Sequence, residues 1–168
     1  MTIQFVNETD ASFDFDLEKI AFDVINASLD EEEFPFDVEV GLTLVDNDVI
    51  HELNKEHRGI DRPTDVLSFP LVDYPAPGDF STLEDSDDNF SPETGEVMLG
   101  DIVISIPKVI EQAEEFNHSI KREYSFLIAH SMLHLMGYDH MEDDERLVME
   151  EKQTLILNNL GITRSKED

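Results

Sequence analysis

The chain has 168 residues with 40 acidic and 11 basic side chains, and its formal net charge of −29 excludes indiscriminate nucleic-acid binding, because such a field repels phosphate backbones at long range. Its length is typical of one domain, and an apolar content of 40% with 11 Phe is sufficient for a core, which excludes wholesale disorder. No cysteine is present, so disulfides and thiolate ligands are excluded and any metal must be bound by His, Asp or Glu.

Hydrophobic periodicity predicts strands and helices that alternate along most of the chain. In chain order the predicted elements are a strand over 2–5, a helix over 17–29, a strand over 36–44, a helix between Asp46 and Gly59, strands over 66–71 and 98–106, and helices over about 107–116, 120–136 and 143–159. Asp46 is predicted to cap the second helix, whose inner face would carry Val49, Ile50 and Leu53. This mixed order predicts one α+β domain over residues 1–168 with one small sheet.

Two segments depart from this regular pattern. Residues 73–96 are rich in Pro, Gly, Ser and acidic residues and predict a long exposed loop, which we interpret as a mobile insertion in preference to a functional flap. The C-terminal residues 162–168 are predicted to be frayed.

Three of the six histidines fall within eleven residues, the run HSMLHLMGYDH from His130 to His140. His130 and His134 are four residues apart on a predicted helix, so both imidazoles lie on one face and can bind one ion. Gly137 can adopt the left-handed backbone that ends a helix, which would return His140 toward the other two. Three such ligands predict a catalytic zinc site, in which water occupies the fourth position with its pKa lowered to about 7.

Other interpretations of this cluster remain open. The spacing H-x3-H-x5-H matches the metzincin geometry, but Ser131 stands where metzincins carry a general-base Glu, which argues against peptide hydrolysis by that route. A closed structural zinc site would need a fourth ligand, for which Asp139 is the nearest candidate. The histidines could also be surface residues without a metal. Three further histidines are expected at the surface or at caps, namely His51, His57 and His118.

Three motifs of the chain are similar to those of one known family. The run from His130 to His140 resembles the H-G-x-L-H-L-x-G-Y-D-H signature of the YbeY family of bacterial endoribonucleases and departs from it only at Ser131. Residues 54–70, NKEHRGIDRPTDVLSFP, resemble the family element N-x-x-[YH]-R-x-x-D-x-P-T-D-V-L-S-F-P, and residues 99–105, LGDIVIS, resemble its third motif. The resemblance spans about residues 36–160 in the expected order.

This resemblance implies a zinc-dependent endoribonuclease that cleaves single-stranded RNA, with zinc-bound water attacking the phosphodiester. The implied role is in 16S ribosomal RNA 3′-end maturation and ribosome quality control. It also implies one zinc ion per chain on His130, His134 and His140, with Arg58 as the functional, catalytic arginine. The implied fold is a small mixed four-stranded sheet flanked by about five helices, one of them a zincin-like metal helix.

Charge and the needs of a metal ligand suggest the remaining candidates. Lys55 and Arg62 would form with Arg58 a local basic patch that binds RNA at short range. Asp65 and Asp101 are candidates to accept the second N–H of a zinc-bound histidine. The alternative for the arginine is a salt bridge to one of the 40 carboxylates, and for the two aspartates it is turn capping or solvation at the sheet edge.

Two other classes of function stay open at this point. One is another zinc hydrolase, such as a peptidase or amidase, and the other is a ribosome-associated assembly factor with a structural zinc, which the charge of −29 slightly favours. The expected partners are a single-stranded 16S rRNA precursor and small ribosomal subunit proteins, and not DNA. No apolar run approaches the roughly 20 residues of a membrane helix, so we expect a cytoplasmic protein without membrane contacts.

Overall fold

The structure is a computed structural model in which residues 1–162 are described. The predicted frayed tail lies, apart from Ile162, outside the described residues. The strands are β1 (Thr2–Asn7), β2 (Val38–Val45), β3 (Val66–Pro70) and β4 (Val97–Ser105), and the helices are α1 (Leu17–Glu31), α2 (Asn47–Arg58), α3 (Ile106–Glu115), α4 (Ile120–Leu135) and α5 (Asp143–Asn159). Each strand and helix predicted from periodicity is present.

The four strands form one mixed sheet in the order β1-β2-β4-β3. β1, β2 and β4 run parallel, whereas β3 pairs antiparallel with β4 and forms one edge of the sheet. Parallel neighbours need a crossover connection, which α1 supplies between β1 and β2. The small mixed four-stranded sheet with five helices is therefore confirmed.

The two faces of the sheet are covered by different helices. The main core contains Ile102 and Ile104 of β4 together with side chains of α1, α4 and α5. On the other face, Val103 and Leu67 pack with Ile50 of α2. Eleven of the 16 residues of α4 are buried, so the helix that carries two of the clustered histidines is fixed on most of its sides. Within residues 1–162, no helix has both the length and the apolar character needed to cross a membrane.

The helix ends follow the sequence signals with one exception. The Ser119 hydroxyl accepts a backbone N–H in the first turn of α4, as predicted, and Gly59 ends α2 with φ of 70°. Asp46 occupies the N-cap position of α2, but its carboxylate makes no capping hydrogen bond. Of the three residues predicted for the inner face of this helix, only Ile50 is fully buried. Val49 is 42% exposed.

The segment 73–96 is not the uniformly exposed loop that its composition predicts. It contains two short 3-10 turns, and the Leu83 side chain is 1% exposed. The Phe80 ring packs on that of Phe34 with the centroids 4.6 Å apart. A few apolar side chains, distributed among many acidic ones, thus anchor the segment to the main core. The average composition of the segment does not reveal these single apolar residues.

The outer edge of β3 has no strand partner among residues 1–162. The Ser105 N–H donates to the carbonyl of Asp65, and the Leu71 N–H donates to the carbonyl of Leu99. Hydrogen-bonded pairs alternate along an antiparallel ladder, so the odd-numbered residues of β3 direct their backbone groups toward β4. The residues whose backbone groups point outward are Val66, Ser68 and Pro70.

Candidate metal centre and its cleft

The three clustered histidines converge at the C-terminal end of α4. The ring centroids of His130 and His134 are 4.6 Å apart, and that of His140 is 5.3 Å from the first and 5.0 Å from the second. One ligand nitrogen from each ring lies within 4.8 Å of the other two. The structure therefore brings the predicted ligands together in a group that can hold a metal ion.

A tight turn after α4 returns His140 to the helix. Gly137 has a φ of 99°, and its N–H donates to the His134 carbonyl at 3.1 Å. A side chain at this φ would be strained, and its Cβ would lie 2.9 Å from the ring of Tyr74. The predicted role of this glycine, ending the helix so that the third histidine can return, agrees with the observed backbone.

Hydrogen bonding defines the tautomer of His134. Its Nδ1 lies 2.9 Å from the carbonyl oxygen of Tyr138, and since a carbonyl can only accept, Nδ1 carries the proton. The lone pair is therefore on Nε2, which lies 3.1 Å from Nε2 of His130. This nitrogen is oriented toward the other rings and is available as a ligand.

Burial lowers the pKa of two imidazoles of the cluster, those of His130 and His134. Burial, assisted by the neighbouring His134 and His140, lowers the pKa of His130 to about 4, against smaller opposing effects of Asp65 and Gln153. Burial is also the main cause of the lowered pKa of His134. Neutral rings offer their lone pairs to a cation at neutral pH without first losing a proton.

The donor set fits a zinc ion. Zinc–nitrogen bonds of about 2.0–2.1 Å in a tetrahedral arrangement place two ligand nitrogens about 3.3 Å apart, close to the 3.1 Å between His130 and His134. In the described part of the chain, no further histidine or carboxylate completes the group. Asp139, the candidate fourth ligand, instead accepts the N–H of His140 at 2.8 Å. Three protein ligands with one open position are typical of catalytic zinc sites.

The segment 73–96 caps the helix that carries His130 and His134. The Tyr74 hydroxyl donates to the Leu135 carbonyl at 2.8 Å, and the Gly78 N–H donates to the Met136 carbonyl at 3.1 Å. Carbonyls at the end of a helix lack partners within the helix and need them from elsewhere. The segment to which the sequence assigned no function therefore stabilises the turn that returns His140 to α4.

A buried chain of hydrogen bonds holds Asp65 beside the histidines. This carboxylate lines the same cleft as His130 and raises the pKa of that ring. Its Oδ2 accepts from the side-chain amide of Gln112 at 3.2 Å, and the same nitrogen donates to Oε1 of Glu123 at 2.8 Å. Glu123 is 3% exposed and lies 2.6 Å from Nε2 of His118. The chain fixes the orientation of Asp65, as is common for groups that support a metal ligand.

The histidines form one wall of an open cleft that runs along the outer edge of β3. Ser68 of β3 contacts α4, whereas Phe69 contacts His57 at the end of α2, so this strand lies between the two walls. Arg58, the last residue of α2, lines the second wall and forms no ion pair with any side chain of residues 1–162. The alternative in which a carboxylate neutralises this arginine is therefore not observed.

The two other cations of the predicted basic patch lie beside the cleft and do not line it. Lys55 is exposed on α2, one turn before Arg58, and Arg62 is exposed in the loop after α2. The Asn54 side chain donates to the Arg62 carbonyl at 2.8 Å, which fixes this loop. Of the three cations, the structure brings only Arg58 into the cleft with the histidines.

Asp101 lies away from the histidines. It pairs with Gly41 on β2 and Phe69 on β3, and its carboxylate extends over Gly41. Because side chains alternate along a strand, Asp101 shares the α2 face with Val103, whereas Ile102 faces α4. Asp101 lies on a strand, as predicted from the motif that contains it. Because side chains alternate between the two faces of the sheet, its carboxylate lies on the face opposite α4.

Ser131 occupies the position at which the family signature has glycine. The side chain is fully buried, and its hydroxyl forms a hydrogen bond with that of Ser68 on β3. It does not line the cleft. The hydroxyl is therefore accommodated between α4 and the sheet.

Three residues near the site were not identified by sequence reasoning. His57 and Met141 line the cleft, and His118 is 12% exposed instead of lying at the surface. The [YH] position of the family element, directly before the arginine, was a usable signal for His57. The contact between Gln112 and Asp65 had no local signal, because it joins residues on separate elements.

Comparison with known proteins identifies the family to which the chain belongs. The sequence profile described as endoribonuclease YbeY matches residues 3–161. A relative named endoribonuclease YbeY from Agathobacter rectalis is 63% identical over 158 residues, which cover 94% of this chain and 96% of that protein. Another of that name, from Lachnoclostridium phytofermentans, is 54% identical over 165 residues, covering 98% and 100%.

Among solved structures, the solution structure of TM1509 from Thermotoga maritima matches with a TM-score of 0.59 and 30% sequence identity, over 99% of this chain and 96% of that one. Since the profile and the relatives match nearly the whole length, this chain belongs to the YbeY family of endoribonucleases.

Proposed function

We propose that this protein is a zinc-dependent endoribonuclease that cleaves single-stranded RNA in the cytoplasm, in 16S ribosomal RNA 3′-end maturation and ribosome quality control. Membership of an endoribonuclease family supports RNA as the substrate. The observation that carries the finer proposal is an open three-histidine site that shares its cleft with an arginine free of counter-ions among residues 1–162.

The distribution of charge supports RNA binding at this cleft despite the net charge of −29. Among residues 1–162, two carboxylates line it, those of Asp65 and Asp139, and both accept hydrogen bonds from the protein. The more distant carboxylates are screened beyond a Debye length of about 8–10 Å at physiological salt. The cleft therefore offers Arg58 to a phosphate at a point where the acidic surface is interrupted. Basic proteins of the small ribosomal subunit are suitable partners, because they would offset the remaining repulsion.

The proposed reaction is hydrolysis of a phosphodiester bond. When bound, zinc supplies a Lewis acid that polarises the phosphodiester and lowers the pKa of a water molecule. The Arg58 guanidinium donates paired hydrogen bonds to phosphate oxygens and stabilises the charge that develops on them. The Nδ1–H of His134 keeps its hydrogen bond to the Tyr138 carbonyl, and this bond holds the ring in the orientation needed for a ligand.

Cleavage of an end-labelled single-stranded RNA, with zinc content measured in parallel, tests this proposal. We expect the wild type to hold about one zinc per chain and to cleave, and the chelator-treated protein and His134→Ala to be inactive. Arg58→Ala is expected to keep its zinc and lose activity. Lys19→Ala, which removes an exposed cation on α1, is the matched control and should cleave normally. Equal cleavage by wild type and His134→Ala would reveal a contaminating nuclease and overturn the proposal.

Two other functions give different results in the same assays. A zinc peptidase or amidase would digest an unfolded protein and leave RNA intact. A ribosome-associated assembly factor with a structural zinc, which the acidic surface favours, would keep its full cellular effect as Arg58→Ala and lose its fold without metal. The absence of a fourth ligand among residues 1–162 supports the catalytic form over the structural one.

A further inference from the structure

We propose that His57, supported by Phe69, forms a subsite in the cleft wall that stacks one unpaired base of the RNA beside the phosphate bound by Arg58. This inference rests on the proposed function and extends it. It adds a base-binding contact to the phosphate contact and the metal centre, and it gives the cleft a physical means to select single strands.

An aromatic pair lines the cleft together with the arginine and the histidine cluster. The ring centroids of His57 and Phe69 are 5.2 Å apart, with an interplanar angle of 71°. In such an edge-to-face contact, a ring is positioned by its neighbour while at least one of its faces stays uncovered. His57 is exposed and Phe69 is partly buried, so the histidine supplies the open face and the phenylalanine holds it.

The histidines outside the metal cluster differ in their partners. Nε2 of His51 lies 2.7 Å from a carboxylate oxygen of Asp61, and Nε2 of His118 lies 2.6 Å from one of Glu123. The side chain of His57, in contrast, has no hydrogen bond or ion pair within residues 1–162, and its described ring contact is with a phenylalanine. Its position in the cleft is therefore not explained by a structural polar contact.

The order of residues at the end of α2 matches the repeating unit of RNA. His57 and Arg58 are consecutive, and Gly59 ends the helix directly after them. Each nucleotide carries one phosphate and one base, so a guanidinium with a flat ring next to it can bind both parts of a single unit. Stacking on an aromatic ring tolerates any base, because every base has a π-face. A duplex cannot use this contact, because its bases are already stacked and paired.

Equilibrium binding measured by fluorescence anisotropy tests the subsite, with chelator present so that no RNA is cleaved. Two labelled probes are used, a single-stranded oligoribonucleotide and an abasic oligonucleotide of the same length, which keeps the phosphates but lacks the bases. We expect His57→Ala to weaken binding of the base-bearing probe about tenfold and to leave binding of the abasic probe unchanged. His57→Tyr, which restores a flat ring, should bind the base-bearing probe as the wild type does.

The same variants reveal whether the subsite contributes to strand selection. We expect the ratio of single-strand to duplex affinity to fall in His57→Ala and to be retained in His57→Tyr. Unchanged binding of the base-bearing probe by His57→Ala, or equal weakening for both probes, would overturn the subsite. Matching thermal unfolding midpoints of the variants exclude a folding defect. A wild-type protein that binds neither probe and cleaves no RNA would overturn the proposed function, whereas a failure confined to His57→Ala would overturn the subsite alone.

Discussion

The two walls of the cleft are built in opposite ways. On the α4 wall, His130 and His134 are partly buried and the turn behind them is held by hydrogen bonds from Tyr74 and other residues. On the α2 wall, Arg58 and its neighbour are exposed and have no polar partner for their side chains among residues 1–162. A metal site needs its ligand nitrogens at a set spacing before the ion arrives, whereas a phosphate-binding side chain must stay unpaired until the substrate arrives. The proposed metal site and the proposed phosphate contact therefore lie on different walls of the cleft, with β3 between them.

Replacing Arg58 tests this separation with the largest expected effect. Arg58→Ala should lower kcat/KM for RNA cleavage by about 100-fold to 1000-fold, because a donor to the developing charge is lost. Arg58→Lys keeps the charge without the planar fork and should lose about tenfold. Zinc affinity, measured by competition with a chromophoric chelator, should be unchanged in both variants. A weaker zinc affinity in either one would show that the walls are coupled.

Replacing Gln112 acts on the α4 wall only. Gln112→Ala removes the amide that bridges Asp65 and Glu123, so we expect zinc affinity to fall by about 10-fold to 100-fold. Binding of RNA to the metal-free protein should not change. Gln4→Ala removes an exposed amide that donates to a carboxylate on β2 and is the matched control. Equal zinc affinity in both variants would refute the supporting role of this chain.

Adding a methyl group to the turn after α4 measures how closely that wall is packed. Gly137→Ala should cost about 2–3 kcal/mol of unfolding free energy, because a strained φ is combined with a Cβ 2.9 Å from the ring of Tyr74. Gly95→Ala is the control, since Gly95 has a φ of 75° and no atom within 4 Å of an added Cβ. It should cost about 1 kcal/mol, the penalty of the backbone conformation alone. Similar losses in urea unfolding would mean that the turn is not tightly packed.

The smallest expected effect sharpens the role of segment 73–96. Tyr74→Phe keeps the ring beside Gly137 but leaves the Leu135 carbonyl without its donor, and should cost about 1 kcal/mol in unfolding free energy. Tyr124→Phe loses a similar hydrogen bond, to the Leu17 carbonyl, at the far end of α4 and should cost a similar amount. We expect only Tyr74→Phe to weaken zinc binding, by a few-fold. Equal zinc affinity in both would restrict the hydroxyl to a role in stability.

Local patterns in the sequence were sufficient for the elements and for the convergence of the three histidines. The four-residue spacing of His130 and His134 and the glycine that follows them act within one helix and one turn, so no knowledge of distant contacts was needed. α5 was predicted with its observed limits, Asp143–Asn159, from helical periodicity alone.

Contacts between distant segments were beyond these patterns. Asp101 was a candidate to accept the second N–H of a zinc-bound histidine, but the alternation of side chains along β4 directs it to the face opposite α4. The segment 73–96 was judged by its average composition, whereas its packing depends on single residues such as Leu83. Both errors arise because the burial of a side chain depends on the surface against which it packs. That surface is formed by residues elsewhere in the chain.

The unpaired edge of β3 also bears on the colloidal behaviour of the protein. An unpaired edge strand is a template on which a second chain could extend the sheet. Of its three outward-facing residues, Pro70 has no N–H, and the N–H of Val66 is already bound by the carboxylate of Asp65 at 2.7 Å. Within residues 1–162, the outward N–H of Ser68 is the one left without a described partner, and a single donor is too few for a continuous ladder. The residues that border the cleft therefore also protect the protein against edge-to-edge aggregation.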